Sequence, residues 1–140
     1  MNKFSFVAAL IGFTLLTTTA SAENIVTGTG AGASLTAGDR NVIKGANAGA
    51  AVTTGSDNVL MGDRAAAALV DGARNTVIGS NAVPNITATN DLVALGDEVG
   101  VNATSAERSV FVGRNAGRSN TTGTNNVFIG RSSALSLIHI

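Results

Sequence analysis

Side chains able to carry chemistry are scarce in this sequence of 140 residues. There is no Cys, which excludes thiolate nucleophiles, thiolate metal sites and disulfides. The single His is His139, next to the last residue. Asp97-Glu98 is the one adjacent acidic pair; neighbouring strand residues face opposite sides, so it reads as a solvated turn rather than a catalytic dyad. Gly28-Thr29-Gly30-Ala31-Gly32 has the glycine density of a phosphate loop but lacks the Gly-Lys-Ser/Thr ending, and no G-G-x-G-x-D calcium repeat occurs. Acid–base or nucleophilic catalysis needs a cluster that these residues do not form. The sequence is therefore read as non-enzymatic, with no catalytic residue, metal site or cofactor and no small-molecule substrate. Nine basic and nine acidic residues balance, giving no general attraction to nucleic acid.

The polar residues that remain fall into columns of a repeat. Gly28, Gly45, Gly62, Gly79, Gly96, Gly113 and Gly130 are each 17 residues apart, without insertion or deletion. Before them stand short apolar, β-branched blocks such as Asn41-Val42-Ile43-Lys44, Asn58-Val59-Leu60-Met61 and Asn126-Val127-Phe128-Ile129, which read as strands bounded by Asn and Gly. A second strand is expected where Ala31-Ala33-Leu35, Ala48-Ala50-Val52, Ala65-Ala67-Leu69 and Ala82-Pro84-Ile86 alternate with period two. The run Ala65 to Ala68 could suggest a helix, but a helix drifts out of step with a strict repeat, and neighbouring Gly opposes it. Outside the first 22 residues the only aromatic side chains are Phe111 and Phe128, so the core must be thin and built of small residues. The expected fold is all-β: a parallel β-solenoid, or β-roll, of about six 17-residue coils over residues 23–134.

Several columns test that stacking. Arg40, Asp57, Arg74, Asp91 and Arg108 alternate in sign, so strands about 4.8 Å apart would set each charge between opposite ones in a ladder. Asn24, Asn41, Asn58, Asn75 and Asn126 share a column, either as left-handed corner residues or as a stacked amide ladder. Gly38, Gly55, Gly72 and Gly123 mark a corner, where Thr89 and Ala106 are the exceptions. Thr36, Thr53, Thr87, Thr104 and Thr121 form a row broken by Val70, which raises ice binding as a minor alternative. In the strands, if Val59 and Met61 point inward, then Leu60 points outward with Ile43, Val77, Phe111 and Phe128. Such an apolar stripe would be a liability on a monomer, so it is expected to be an interchain contact, unless both parities are covered within one chain.

The unit resembles the head repeats of trimeric autotransporter adhesins, the YadA-like family. Ser109-Val110-Phe111-Val112-Gly113-Arg114-Asn115-Ala116-Gly117 and Asn126-Val127-Phe128-Ile129-Gly130 carry the likeness best. Ser119 to Asn125 is also similar to linkers of phage tail-fibre and bacterial surface proteins. The resemblance covers nearly all of residues 24–134 and implies a left-handed roll, a homotrimer and attachment to a host, matrix or cell-surface partner. The 17-residue unit is longer than the family's usual head repeat, Lys44 stands at an apolar strand position, and the corner glycine is lost at Thr89 and Ala106. The alternative is a structural fibre or spacer segment.

The ends complete the organisation. Lys3, the apolar run Phe4 to Leu16 and Ala20-Ser21-Ala22 form a cleavable signal peptide over residues 1–22. The apolar run is shorter than the roughly 20 residues a membrane span needs. The chain is thus expected to be exported, to the cell surface or the extracellular space. Residues 135–140, Leu-Ser-Leu-Ile-His-Ile, stop in mid-coil without a polar cap and read as a truncated or artefactual tail.

Overall fold

The computed structural model describes residues 23–134; the expected signal peptide (residues 1–22) and the tail with His139 (residues 135–140) lie outside them. Each block before a marker glycine, led by Asn, Ser or (before β5) Leu92, forms a three-residue strand: β1 (Ile25–Thr27), β2 (Val42–Lys44), β3 (Val59–Met61), β4 (Thr76–Ile78), β5 (Val93–Leu95), β6 (Val110–Val112) and β7 (Val127–Ile129). They form one parallel sheet in chain order, and every residue pairs with the one 17 positions on, as Ile43 with Leu60 and Leu60 with Val77. The chain is a parallel β-solenoid. At about 4.8 Å per strand, its seven strands extend roughly 30 Å.

The second strand is not there. From each marker glycine the chain makes two consecutive turns, closed in the first coil by Ala31 N–H to Gly28 O (3.2 Å) and Leu35 N–H to Gly32 O (3.0 Å). Two residues per coil take positive φ in these turns, Asn47 at +53° and Gly49 at +50° in the second coil. The alternating alanines misled because two of their three positions do point inward. Ala48 and Val52 are buried, Ala50 is only half-buried, and the buried residue between them is Gly49, out of phase with a strand. The turns still stack: Gly32 N–H donates to Ala48 O (2.9 Å) and Ser34 N–H to Ala50 O (3.1 Å) in the next coil. Further on, the isolated bridges Ser56–Ala73 and Asp71–Ala88 are all that pairs as β-structure in the opposite limb.

The core is one side chain deep. It joins the middle residue of each strand to the buried turn residues, for example Ile43, Leu60 and Val77 with Ala48, Val52 and Leu69. Pro84 fits because Ala33, Ala50 and Ala67, at the equivalent position, donate no backbone hydrogen bond, so the missing N–H breaks nothing.

Candidate functional site

The marker glycines are held by two constraints at once. Gly28 and Gly113 have φ of +128° and +125°, a region side chains rarely enter. A Cβ on Gly28 would also sit 2.5 Å from the Gly45 carbonyl oxygen, and one on Gly113 2.7 Å from that of Gly130. Coils meet backbone to backbone along this column. The corner column differs: only Gly38 there has positive φ, and Gly55 and Gly72 are needed for close approach to the next coil and to the Asn58 and Asn75 amides.

Those amides form a ladder, which decides between the two readings of the Asn column. Asn41 Oδ1 accepts from Asn58 N–H and from Asn58 Nδ2, both at 3.0 Å, and Asn58 Nδ2 also donates to Gly72 O at 2.8 Å. Asn58 Oδ1 serves Asn75 identically. The left-handed conformation belongs instead to the preceding residue: Arg40, Asp57, Arg74, Asp91, Arg108 and Asn125 all have φ between +54° and +60°.

That same column carries the charges. They resolve into separate couples rather than a continuous ladder. Arg40 grips Asp57 with Nε–Oδ1 at 2.5 Å and Nη2–Oδ2 at 2.7 Å; Arg74 grips Asp91 at 2.6 and 3.0 Å. Arg108 turns to Glu107 at 3.8 Å instead of reaching Asp91. Hydrogen bonding from the guanidinium holds the Asp57 and Asp91 carboxyls below the usual carboxylate range, and the same bond raises Arg40 and Arg74. One further inter-coil pair was not anticipated: Asp97, of the solvated acidic pair, meets Arg114 at 3.2 Å.

The expected interchain stripe is a correction. Ile43, Leu60, Val77 and Phe111 are fully buried and Phe128 packs against the same core, with Phe111 and Phe128 stacked at 5.2 Å. The strand parity is the reverse of that expected. What faces outward is the flanking pair of each strand: Val42, Val59, Met61, Val93, Leu95, Val110 and Val112 are half-buried, and Ile78 is 40% exposed. These two rows make an apolar wall of roughly 30 by 10 Å from strand spacing and rise. Its size is that of the largest patches on ordinary monomers, which are often functional. A signal was available: the middle column, from Val26 to Phe128, contains no polar residue, whereas Thr27, Lys44 and Thr76 stand in the flanking ones.

On the opposite limb, the Thr row is used for stacking. Thr36 Oγ1 donates to Thr53 O (3.2 Å), Thr53 Oγ1 to Val70 O (3.3 Å) and Thr104 Oγ1 to Thr121 O (3.1 Å). Among the described residues no group of His, Cys, Asp or Glu could hold a metal ion, and no helix is long and apolar enough to cross a membrane.

A seventeen-residue register, backbone-stacked glycines and an apolar outer wall define the class: a parallel β-solenoid repeat protein. No protein-family model, curated protein or solved structure matches the chain.

Proposed function

We propose that the chain is an exported, non-enzymatic surface protein, an adhesin-like head segment that works as a homotrimer and attaches to a host, matrix or cell-surface partner. The apolar wall on β2–β6 supports this reading, because its Val, Met, Ile and Leu side chains, interrupted only by Lys44 and Thr76, call for a covering partner. Another copy of the chain supplies the same flat apolar surface, and loss of Lys3 with residues 1–22 leaves each copy only slightly acidic. The likeness of Ser109–Gly117 and Asn126–Gly130 to YadA-like head repeats supports both the trimer and attachment.

Light scattering at micromolar concentration should give three times the chain mass. The double variant Met61→Glu/Leu95→Glu, outside the core, should give the monomer with an unchanged circular dichroism spectrum. A monomeric parent chain would overturn the trimer. Attachment is read by retention on immobilised matrix proteins and glycans; a trimer that binds none of them is the fibre or spacer segment instead. Export is read from the N-terminus of the secreted chain, expected at Glu23.

A further inference from the structure

Three Asn-x-Thr triplets lie in the solenoid: Asn85-Ile86-Thr87, Asn102-Ala103-Thr104 and Asn120-Thr121-Thr122. This is the acceptor signature of N-linked glycosylation, in which the Asn amide nitrogen takes the sugar and the hydroxyl two residues on is recognised with it. The register gives the three triplets different fates. Asn85 and Asn102 occupy the same column on successive coils, and both are exposed, as are Thr87 and Thr104. The intervening Ile86 and Ala103 are buried, so each triplet presents its two recognised side chains outward and anchors itself by the middle one. The third triplet is shifted by one position. That shift drops Asn120 into a core column, where it is 2% exposed and donates to Gly123 O at 2.9 Å.

The two exposed amides also differ. In the first three coils the backbone N–H of this column donates to the next coil, as Ala68 N–H does to Pro84 O (3.1 Å). At Asn85 the side chain takes over that bond, Nδ2 donating to Val101 O at 2.8 Å. The Asn102 amide makes no hydrogen bond among the described residues and stands free.

We propose that Asn102 is an acceptor site for N-linked glycosylation in the folded chain, with Asn85 a poorer second site and Asn120 none. Nδ2 of Asn102 attacks C1 of a diphosphate-activated sugar. The C1–Nδ2 bond forms as the C1–O bond to phosphate breaks, the diphosphate leaves, and the transferase takes the amide proton. Stacked coils place the two amides of this column about 4.8 Å apart, so a sugar on Asn102 crowds Asn85 and favours single occupancy. The site lies in the second turn of its coil, closed by Ala103 N–H to Gly100 O at 2.9 Å, and outside the apolar strand wall, so it stands independently of the proposed trimer.

The test is peptide mapping by mass spectrometry, with fragmentation that localises the adduct, on the chain recovered from cells that make it. A glycan is expected on Asn102, less on Asn85 and none on Asn120. Single hexoses would identify a nucleotide-sugar donor, and a defined oligosaccharide a lipid-linked one. Asn102→Gln should remove the adduct and Thr104→Val should abolish it, whereas Thr104→Ser should retain it. The Thr104 side chain makes one exposed bond, to Thr121 O, and its backbone N–H bond to the same oxygen is untouched by substitution, so these variants keep the fold, which circular dichroism checks. An unmodified Asn102, equal occupancy at Asn120, or an adduct that survives Thr104→Val overturns the proposal.

Discussion

Between Asn24 and Asn75 the inner corner of the solenoid is filled by stacked amides, each fixing the backbone of the next coil. From Leu92 onward the same corner holds Leu92 and Ser109, and the core beside it holds the Phe111–Phe128 stack. The register does not change by one residue across this boundary. Two interiors of different chemistry therefore support one backbone. What they share is the glycine column, which points to backbone contact as the invariant and to side-chain filling as the part that varies.

The largest expected effect tests that invariant. Gly62→Ala must place a Cβ against the Gly79 backbone at a φ of +131°. Strain and clash together should cost about 5 kcal/mol or more, comparable with a whole domain's stability. Gly130 has φ of +116° but nothing within 4 Å of its added Cβ. Gly130→Ala should therefore cost only the strain, about 1–2 kcal/mol. Denaturant unfolding of the two variants checks this, and equal losses would show that conformation, rather than contact between coils, fixes the column.

The next tests separate the two interiors. Phe111→Ala removes a fully buried ring and its stacking contact with Phe128 and should cost about 3–5 kcal/mol. Asn58→Leu leaves the buried Asn75 N–H without its acceptor and should cost about 3 kcal/mol. The reverse exchange is milder. Ser109 N–H finds no acceptor among the described residues, because Leu92 offers none where Asn41 and Asn58 do. Leu92→Asn would supply one while giving up apolar burial, a net cost of about 1 kcal/mol. If both exchanges cost the same, the ladder is filling rather than hydrogen bonding.

The register was legible because it is written in residues with few substitutes: no other residue meets the backbone demands at Gly62, and the Asn column needs an amide to serve two partners. The parity and the turns were harder to read. A three-residue strand such as Val59–Met61 is apolar on both faces, so alternation cannot orient it; only Lys44, Thr27 and Thr76 marked the outer wall. The turns left a clearer trace. Gly30, Asn47, Asn81 and Asn115, followed two residues later by Gly32, Gly49, Val83 and Gly117, mark paired positive φ, but the alanine alternation hid them. Val83 shows why the rule is imperfect, for a β-branched residue holds φ of +41° there, packed against Gly100 of the next coil, where a Cβ would meet its methyl at 2.8 Å. The outward rotation of Asn85 and Asn102 could not be read without the turns.

The smallest expected effect belongs to the charge column, where the two halves differ again. Arg40–Asp57 and Arg74–Asp91 are bidentate couples across coils, whereas Arg108 has only its neighbour Glu107. The carboxyls of Asp57 and Asp91 lie below their ordinary value of 3.8, first through the guanidinium hydrogen bond. A carboxyl depressed on folding stabilises the native state above its unfolded pKa and loses that contribution as pH falls through the folded one. The contribution of the raised Arg40 and Arg74 is present throughout the working range and would be lost only in strong alkali. Both couples are exposed, so their contribution is small and screened by salt. The melting temperature should therefore fall slightly more in the parent than in Asp57→Asn as pH drops from neutral to below 3.8, and the gap should narrow in high salt. Asn keeps the positive φ that position 57 requires, so the comparison isolates charge. An Asp57→Asn variant with the same acid response as the parent would leave the column with its corner conformation alone.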